Sequence, residues 1–392
     1  MDKLRVAVIG AGQRGHTLAL CCVRARPDAF ELLGVCDVSR ARAEWLAGQC
    51  GSCSVYDSID AVVGDPRIEA VFVTTCDSQH VEPAVKAMAA GKHVYCEKPL
   101  ATTLDGCDAI IEAARSSRAV FYMGFNMRWA PFNEKAKEVI DSGALGALHT
   151  AHFSETYFGG RTYFRRWNRL RRFGGGLWIT KATHDFDIMH FLLDRNPIRV
   201  AGRSNLFHYK PDPRRGPRCG QCQVAKECPN YWDYKNDPAD EAWRFLWETS
   251  EEARGFPGDL CLYNSDKDTF DHGVALLEFE GGLLATYNLS VVCARTTRTL
   301  HIQGDRGELG GDTEGGCLVF TERFTNARQT WDLTEGSADV HGGSDVRILE
   351  DFRRCVQEGA PPRANLDDGR WAVRIGLAVR DSCDREGEWM NP

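Results

Sequence analysis

Val6-Ala7-Val8-Ile9-Gly10-Ala11-Gly12-Gln13-Arg14-Gly15 is an apolar run that breaks into Gly-x-Gly-x-x-Gly. The run reads as a buried strand, and the residues from Thr17 onward carry helical spacing. Gly10 permits a tight turn, Gly12 lets backbone approach a pyrophosphate, and Gly15 lets helix and strand pack closely. Asp37 ends the next apolar run, about twenty residues on, where a carboxylate accepts from a ribose 2′-hydroxyl and repels a 2′-phosphate. NAD is therefore expected over NADP, with Arg40 as a competing influence. The bland alternative is a glycine-rich turn with no ligand.

The same alternation runs on to about Asn126. Strands are expected at Leu4–Ile9, Leu32–Cys36, Ala70–Thr75, His93–Cys96 and Val120–Gly124, with helices at Thr17–Arg26, Arg40–Gln49, Val81–Ala90 and Leu104–Ser116. Strands separated by helices of this length imply βαβ units and a parallel sheet. Glu97-Lys98-Pro99 then falls at a strand's carboxyl end, the side on which such sheets bind ligands.

After a helix near Pro131–Ser142 the pattern changes to long alternating runs: Leu148–Phe158, Arg199–Phe207, Gly273–Phe279, Leu283–Val292 and Thr297–Gln303. Gly281-Gly282 between two of them is a hairpin signal. Helices Asp345–Glu358 and Asp367–Glu386 finish the chain. The expected class is α/β: a dinucleotide-binding domain over residues 1–126 and a substrate-binding α+β domain over 127–392, built on an open, mainly antiparallel sheet.

The 392 residues are enough for two hydrophobic cores, and 43% apolar with 26% charged residues is ordinary for a globular protein. A net charge of −7 gives no reason to expect nucleic acid or an anionic membrane as partner. No apolar run reaches the roughly 18 residues of a membrane helix. Met1-Asp2-Lys3-Leu4 leads directly into a strand, so no signal peptide is expected and the cytoplasm is the expected compartment.

Of the sixteen cysteines, Cys21, Cys22, Cys36, Cys76 and Cys107 lie in apolar stretches and read as small buried hydrophobes. Residues 210–267 form a long segment of little periodicity, rich in Pro, Trp, Cys and charge. Within it, Cys219, Cys222 and Cys228, with Cys261 at the far end, suggest a four-thiolate structural zinc site. Free thiols or disulfides are the alternatives.

Gly10–Gly15, Thr74-Thr75 followed by His80, Gly91-Lys92-His93-Val94 through Glu97-Lys98-Pro99, and Gly124-Phe125-Asn126 resemble the Gfo/Idh/MocA oxidoreductases, over nearly the whole chain. The resemblance implies a Rossmann domain holding NAD or NADP and an open C-terminal sheet used for substrate and for homo-oligomer contacts. It implies oxidation or reduction of a ring hydroxyl of a sugar or cyclitol. Carried over residue by residue, it places Thr75, His80, Glu97, Lys98 and Asn126 on the nicotinamide side. Gly10, Gly12, Gln13, Arg14, Gly15, Asp37 and Thr74 complete the expected cofactor site. Where the family has Pro-Asn after the threonine, this chain has Cys76-Asp77.

Removing hydride from a carbinol carbon requires that the hydroxyl proton be taken as well, by a group tuned toward neutrality. Lys98 fits as that base or as an electrostatic donor to the substrate oxygen, since burial lowers an amine's pKa. The stretch Gly174 to Asp187 resembles the family's Gly-Gly…Asp…His motif: His184 falls on the histidine, Thr180 on the aspartate, and Lys181 follows. At helical spacing Thr180, Lys181 and His184 share one face. Thr180 cannot act as a base, so Lys98 or Lys181 takes that part, with His184 suited to pass a proton near neutral pH.

Arg161 to Arg172 holds six arginines in twelve residues, offering guanidinium forks to an anionic substrate or lining a solvated or subunit-facing loop. His272, after Asp268-Thr269-Phe270-Asp271, reads chiefly as structural. The expected function is NAD-dependent hydride transfer at a ring secondary hydroxyl of a sugar, cyclitol or glycoside. The alternatives are an NAD-dependent glycosidase, with an anionic glycoside as one candidate substrate, and a nucleotide-binding sensor without catalysis.

Overall fold

The structure, a computed structural model, describes residues 2–51, 53–233, 235–236, 244–249, 255–334 and 343–392, with the side chain of Arg161 not among them. Met1 and residues 234, 237–243 and 250–254 of the long segment thus lie outside the described residues.

The first half alternates β1 (Leu4–Ile9), α1 (Gln13–Leu20), β2 (Phe30–Cys36), α2 (Arg40–Gln49), β3 (Ser54–Tyr56), α3 (Ile59–Gly64), β4 (Ala70–Val73), α4 (Val81–Ala89), β5 (His93–Cys96), α5 (Leu104–Arg115) and β6 (Phe121–Met123). The helices start where sequence chemistry permits: the side chains of Ser39, Ser58 and Thr103 accept from backbone N–H groups at the heads of α2, α3 and α5. All strands are parallel, in the order β3-β2-β1-β4-β5-β6. Consecutive order reverses between β1 and β4, which opens a crevice at their carboxyl ends. Two details differ from expectation. Helix α1 begins at Gln13, inside the glycine motif, and β3 has three residues, too few to show a period.

The second half contains α6 (Pro131–Asp141), β7 (Leu148–Thr156), α7 (Gly160–Arg165), α8 (Arg171–Gly174), α9 (Leu177–Thr180), α10 (Thr183–Leu193), β8 (Pro197–Asn205), β9 (His272–Phe279), β10 (Leu284–Ser290), β11 (Thr297–Gly304), β12 (Gly307–Asp312), β13 (Cys317–Glu322) and β14 (Arg328–Asp332). They form an eight-stranded sheet, β14-β13-β12-β11-β7-β10-β9-β8, antiparallel except for β7 with β10. Gly281 and Gly282 take φ of 76° and 81° in the β9–β10 turn, which only glycine adopts freely. One face of this sheet is covered: Trp178 and Phe186 pack on Tyr287. The other face carries Val274, Leu276 and Leu284, each about half exposed.

The last two helices, α11 (Ser344–Glu358) and α12 (Leu366–Asp384), return to the first sheet. Ile348, Leu349, Phe352 and Cys355 of α11 share one core with Val6, Val8, Phe72, Tyr95 and Tyr122. Phe352 meets the rings of Phe72, Tyr95 and Tyr122 edge-on. Among the described residues no helix is long and apolar enough to cross a membrane.

The expected zinc clamp is corrected. Among the described residues no group of three or more His, Cys, Asp or Glu side chains is placed to hold a metal. Cys219 Sγ instead accepts from Arg165 Nη2 at 3.4 Å, and Cys228 Sγ from Arg215 Nη1 at 2.9 Å, while Cys222 and Cys261 are free thiols. Guanidinium groups tie the segment together. Fully buried Arg165 donates to the carbonyls of Leu260 and Asn230, and Arg218 pairs with Asp259 at 2.7 Å.

Candidate active site

A cleft of about 990 Å³ runs from the glycine turn across to the helices before the second sheet. At one end lie Gly10, Gly12, Asp37 and Val38, and at the other Lys98, Lys181 and His184.

The glycine turn is built by close contact. Gly10 sits at φ 106°, and a Cβ there would lie 2.6 Å from the Thr74 carbonyl carbon. A Cβ on Gly15 would collide with the Gly10 carbonyl oxygen, whereas one on Gly12 meets nothing within 4 Å. Gly12 therefore faces open cleft. It caps α1 without any side-chain acceptor, leaving first-turn N–H groups available to an anion. Thr74 Oγ1 donates to the Gly10 carbonyl at 2.6 Å and locks the turn. Asp37 accepts from Ala11 N at 2.7 Å and from Ser39 N at 2.8 Å, so its carboxylate is fixed at the cleft wall.

Arg40 does not compete for this position, because it is paired with Glu44 and Asp57. Arg42 does reach the cleft, yet it is spoken for: Nε donates to Thr249 Oγ1 and Nη2 to the Leu246 carbonyl, both at 2.7 Å. Through this contact the helical turn at 244–249 docks beside α2, stacking Phe245 on Trp45 and bringing Leu246 and Trp247 into the lining.

Two expected cofactor residues, Arg14 and His80, line the cleft and are also held by protein partners. Arg14 donates to Glu97 Oε1 at 2.8 and 3.0 Å and to both oxygens of Asp345 at 2.9 and 3.0 Å. His80, almost fully buried, faces the Pro99 carbonyl with Nδ1 at 2.7 Å and the Thr75 carbonyl with Nε2 at 3.2 Å, and burial lowers its pKa. Gln13 Oε1 accepts from Arg166 Nη1 at 3.1 Å, linking the glycine turn to the second half.

At the far end, Lys98 Nζ donates to the Thr180 carbonyl at 2.8 Å. Burial lowers the Lys98 pKa; Asp77 works against that and Lys181 with it. The single helix expected through Thr180, Lys181 and His184 is broken in two, α9 ending at Thr180 and α10 beginning at Thr183. All three residues still line the cleft. Lys181 pairs with Glu155 at 2.7 Å and lies over the Tyr157 ring, 4.0 Å from its centroid. Arg298 joins Glu155 at 2.6 Å to Asp185 at 2.8 Å, and Tyr287 Oη donates to Asp185 at 2.9 Å. Burial raises the fully enclosed Glu155 carboxyl to about 7 against the pull of Arg298 and Lys181.

Sequence reasoning passed over three residues here. Asp77, 6% exposed, has its carboxyl raised to about 7 by burial, with Lys98 opposing. Glu155 and Asn168 are buried in the second half and reach the site by tertiary packing. Buried oxygens on cleft residues that have no hydrogen-bond partner among the described residues include Thr75 Oγ1, Asp77 Oδ2, Asn126 Oδ1 and Asn168 Oδ1. Asn126 Nδ2 is held by Asp345 Oδ1 at 2.9 Å, which leaves its oxygen for a ligand.

The arginine-rich stretch offers less to an anion than its composition suggests. Arg169 pairs with Asp266 at 2.6 Å, Arg171 with Asp384 at 2.7 Å, and Arg165 is spent on carbonyls. Arg166 lines the cleft. His272 pairs with Asp271, whose carboxylate also accepts from the backbone N–H groups of Phe207, His208 and Tyr209, so this pair is structural.

Comparison with known proteins agrees with this architecture. Residues 4–125 match the profile of an oxidoreductase family's NAD-binding Rossmann fold, and residues 137–391 that family's C-terminal alpha/beta domain. A scyllo-inositol 2-dehydrogenase (NAD(+)) of Bacillus subtilis is 30% identical over 97% of this chain and 94% of its own. A myo-inositol 2-dehydrogenase of Thermotoga maritima is 28% identical over 98% and 97%. The solved structure of levoglucosan dehydrogenase in complex with NADH and L-sorbose superposes with a TM-score of 0.77 at 20% identity, covering 100% of this chain and 99% of that one.

Proposed function

The chain belongs to the Gfo/Idh/MocA oxidoreductase family, and from that membership we propose that it is an NAD-dependent dehydrogenase acting at a ring secondary hydroxyl of a sugar or cyclitol. One observation carries the substrate and cofactor class. Thr75 Oγ1, Asp77 Oδ2, Asn126 Oδ1 and Asn168 Oδ1 are buried without partners around one cleft. Each such atom costs about 1–3 kcal/mol when left unsatisfied. The two amide oxygens only accept, and Asp77 Oδ2 accepts when ionised, so the ligand that completes them brings donors: hydroxyl groups and a carboxamide NH₂.

The residues fit a dinucleotide. Gly12 and the head of α1 would receive its pyrophosphate, Asp37 would accept from its adenosine ribose, and Asn126 Oδ1 would face its nicotinamide end. Bound there, the nicotinamide supplies a two-electron hydride acceptor. Lys98 donates to the substrate oxygen, and His184, on the first turn of α10, relays the proton that leaves it. Lys181, fixed on Glu155, presents a further donor to the ring oxygens. The half-exposed Val274, Leu276 and Leu284 on the open sheet face support a homo-oligomer through that sheet.

The test is turnover with NAD across inositols, aldoses and aryl glycosides. Reduced nicotinamide accumulating with a ketone product supports the proposal. Glycoside cleavage without net reduction supports the second reading, an NAD-dependent glycosidase, which the two near-neutral carboxyls Asp77 and Glu155 favour. NAD binding with neither activity defeats both.

A further inference from the structure

Thr180 stands beside the cleft lysine without a group that can ionise, and the carboxylate near it comes from the other side of the cleft. Asp77 opens a 3₁₀ turn, Asp77–Gln79, in the crossover from β4 to α4. The residue is more than nine-tenths buried, it lines the same cleft as Lys98, Thr180 and His184, and its Oδ2 has no partner. Thr180, whose carbonyl takes the Lys98 ammonium at 2.8 Å, lines that cleft too. Asp77 and Lys98 follow the adjacent parallel strands β4 and β5 and so share the carboxyl edge of the first sheet, where each is the other's strongest charged partner.

We propose that Asp77 is a catalytic residue, forming with Lys98 a carboxylate–ammonium couple whose free Oδ2 takes the proton of the substrate hydroxyl. The proposal rests on the dehydrogenase reading above for its oxidant. The substrate O–H bond breaks and its proton goes to Asp77 Oδ2. The carbinol C–H bond breaks, and its hydrogen leaves with both electrons as hydride to the pyridine nucleotide. The oxygen lone pair closes the carbonyl. Lys98 keeps its proton throughout and stabilises the negative charge that builds on the oxygen.

Several charges act on the couple. Glu97 follows from β5 and disfavours ionisation of Asp77, while Arg166, from the segment after α7, favours it. Lys181 and Glu155 act on Lys98 with opposite signs. Burial dominates, placing the Asp77 carboxyl at about 7. The group therefore sits where a base is half-loaded near neutral pH.

Two measurements on Asp77→Asn decide the matter. In the full-length protein without nucleotide, Lys98 is labelled with an amine-directed reagent across a pH series and read by peptide mass spectrometry. Removing the neighbouring anion shifts the labelling midpoint of Lys98 to lower pH by about one unit. In the NAD-loaded enzyme kcat falls about 100-fold, with KM for NAD unchanged, and the limb of the pH profile near 7 disappears. An unmoved Lys98 midpoint, or kcat within threefold of wild type, overturns the assignment. If wild-type enzyme oxidises no polyol, the dehydrogenase reading fails while the labelling still judges the couple. Should Asp77→Asn not fold, Asp77→Glu is read in the same assays. A retained midpoint with kcat lowered at least tenfold supports the role, and wild-type kcat removes it.

Discussion

Arg14 and Asp345 lie 331 positions apart and are joined by two hydrogen bonds of 2.9 and 3.0 Å. The same carboxylate takes Asn126 Nδ2 at 2.9 Å, and Arg14 in turn holds Glu97. A residue of α11 thus fixes both the glycine turn and the amide aimed into the cleft. Asp345→Ala leaves Arg14 short of half its partners and frees the Asn126 amide. NAD affinity should fall about tenfold by calorimetry, and unfolding free energy by about 3 kcal/mol.

Gly12 and Gly15 separate binding from folding. Gly12→Ala adds a methyl group that meets no protein atom but stands where the pyrophosphate must come. Its melting temperature should match wild type while NAD affinity drops at least tenfold. Gly15→Ala collides with the Gly10 carbonyl and should lower the melting temperature itself. Thermal scans with and without NAD distinguish the two.

Asp37→Ala should reduce the kcat/KM preference for NAD over NADP about tenfold or more, because Arg40 and Arg42 already have partners and only the carboxylate repels a 2′-phosphate. An unchanged ratio would count against the ribose contact.

Lys98→Met should lower kcat by about 10³-fold, the upper end of the range for loss of a donor that stabilises developing negative charge, with NAD affinity retained. The pair of measurements is steady-state turnover and nucleotide titration.

Asp77 also links stability to pH. Its folded-state carboxyl sits at about 7, against about 3.9 for an unfolded aspartate. The folded protein binds the extra proton between those values, so this contribution is full below the lower one and is lost as pH rises through the upper one. The stability of Asp77→Asn relative to wild type should therefore increase from pH 5 to pH 8 in urea unfolding.

The parts of the site legible in sequence were those whose partners are close in the chain. The glycine turn and the lysine after β5 announce themselves by local spacing. Gly91-Lys92-His93-Val94 was legible as a family mark, yet its chemistry is structural: Lys92 Nζ donates to the carbonyls of Asp65 and Ile68, both at 2.8 Å. Asp77 was legible only as a departure from the family's Pro-Asn, and Glu155 and Asn168 not at all, because burial gives all three their character and Glu155 takes Arg298 from a strand distant in the chain. The cysteines misled for a related reason. Their spacing suits a chelating knuckle, but spacing does not reveal that Arg165 and Arg215 already occupy two of the thiols.

Phe352→Ala should cost about 3–5 kcal/mol, since the ring fills a hollow among Phe72, Tyr95 and Tyr122. That hollow leaves the first sheet incomplete by itself: residues 4–123 supply its walls, and the ring that closes it arrives with α11, more than two hundred positions later. Cut from α11, the sheet would open its core to water.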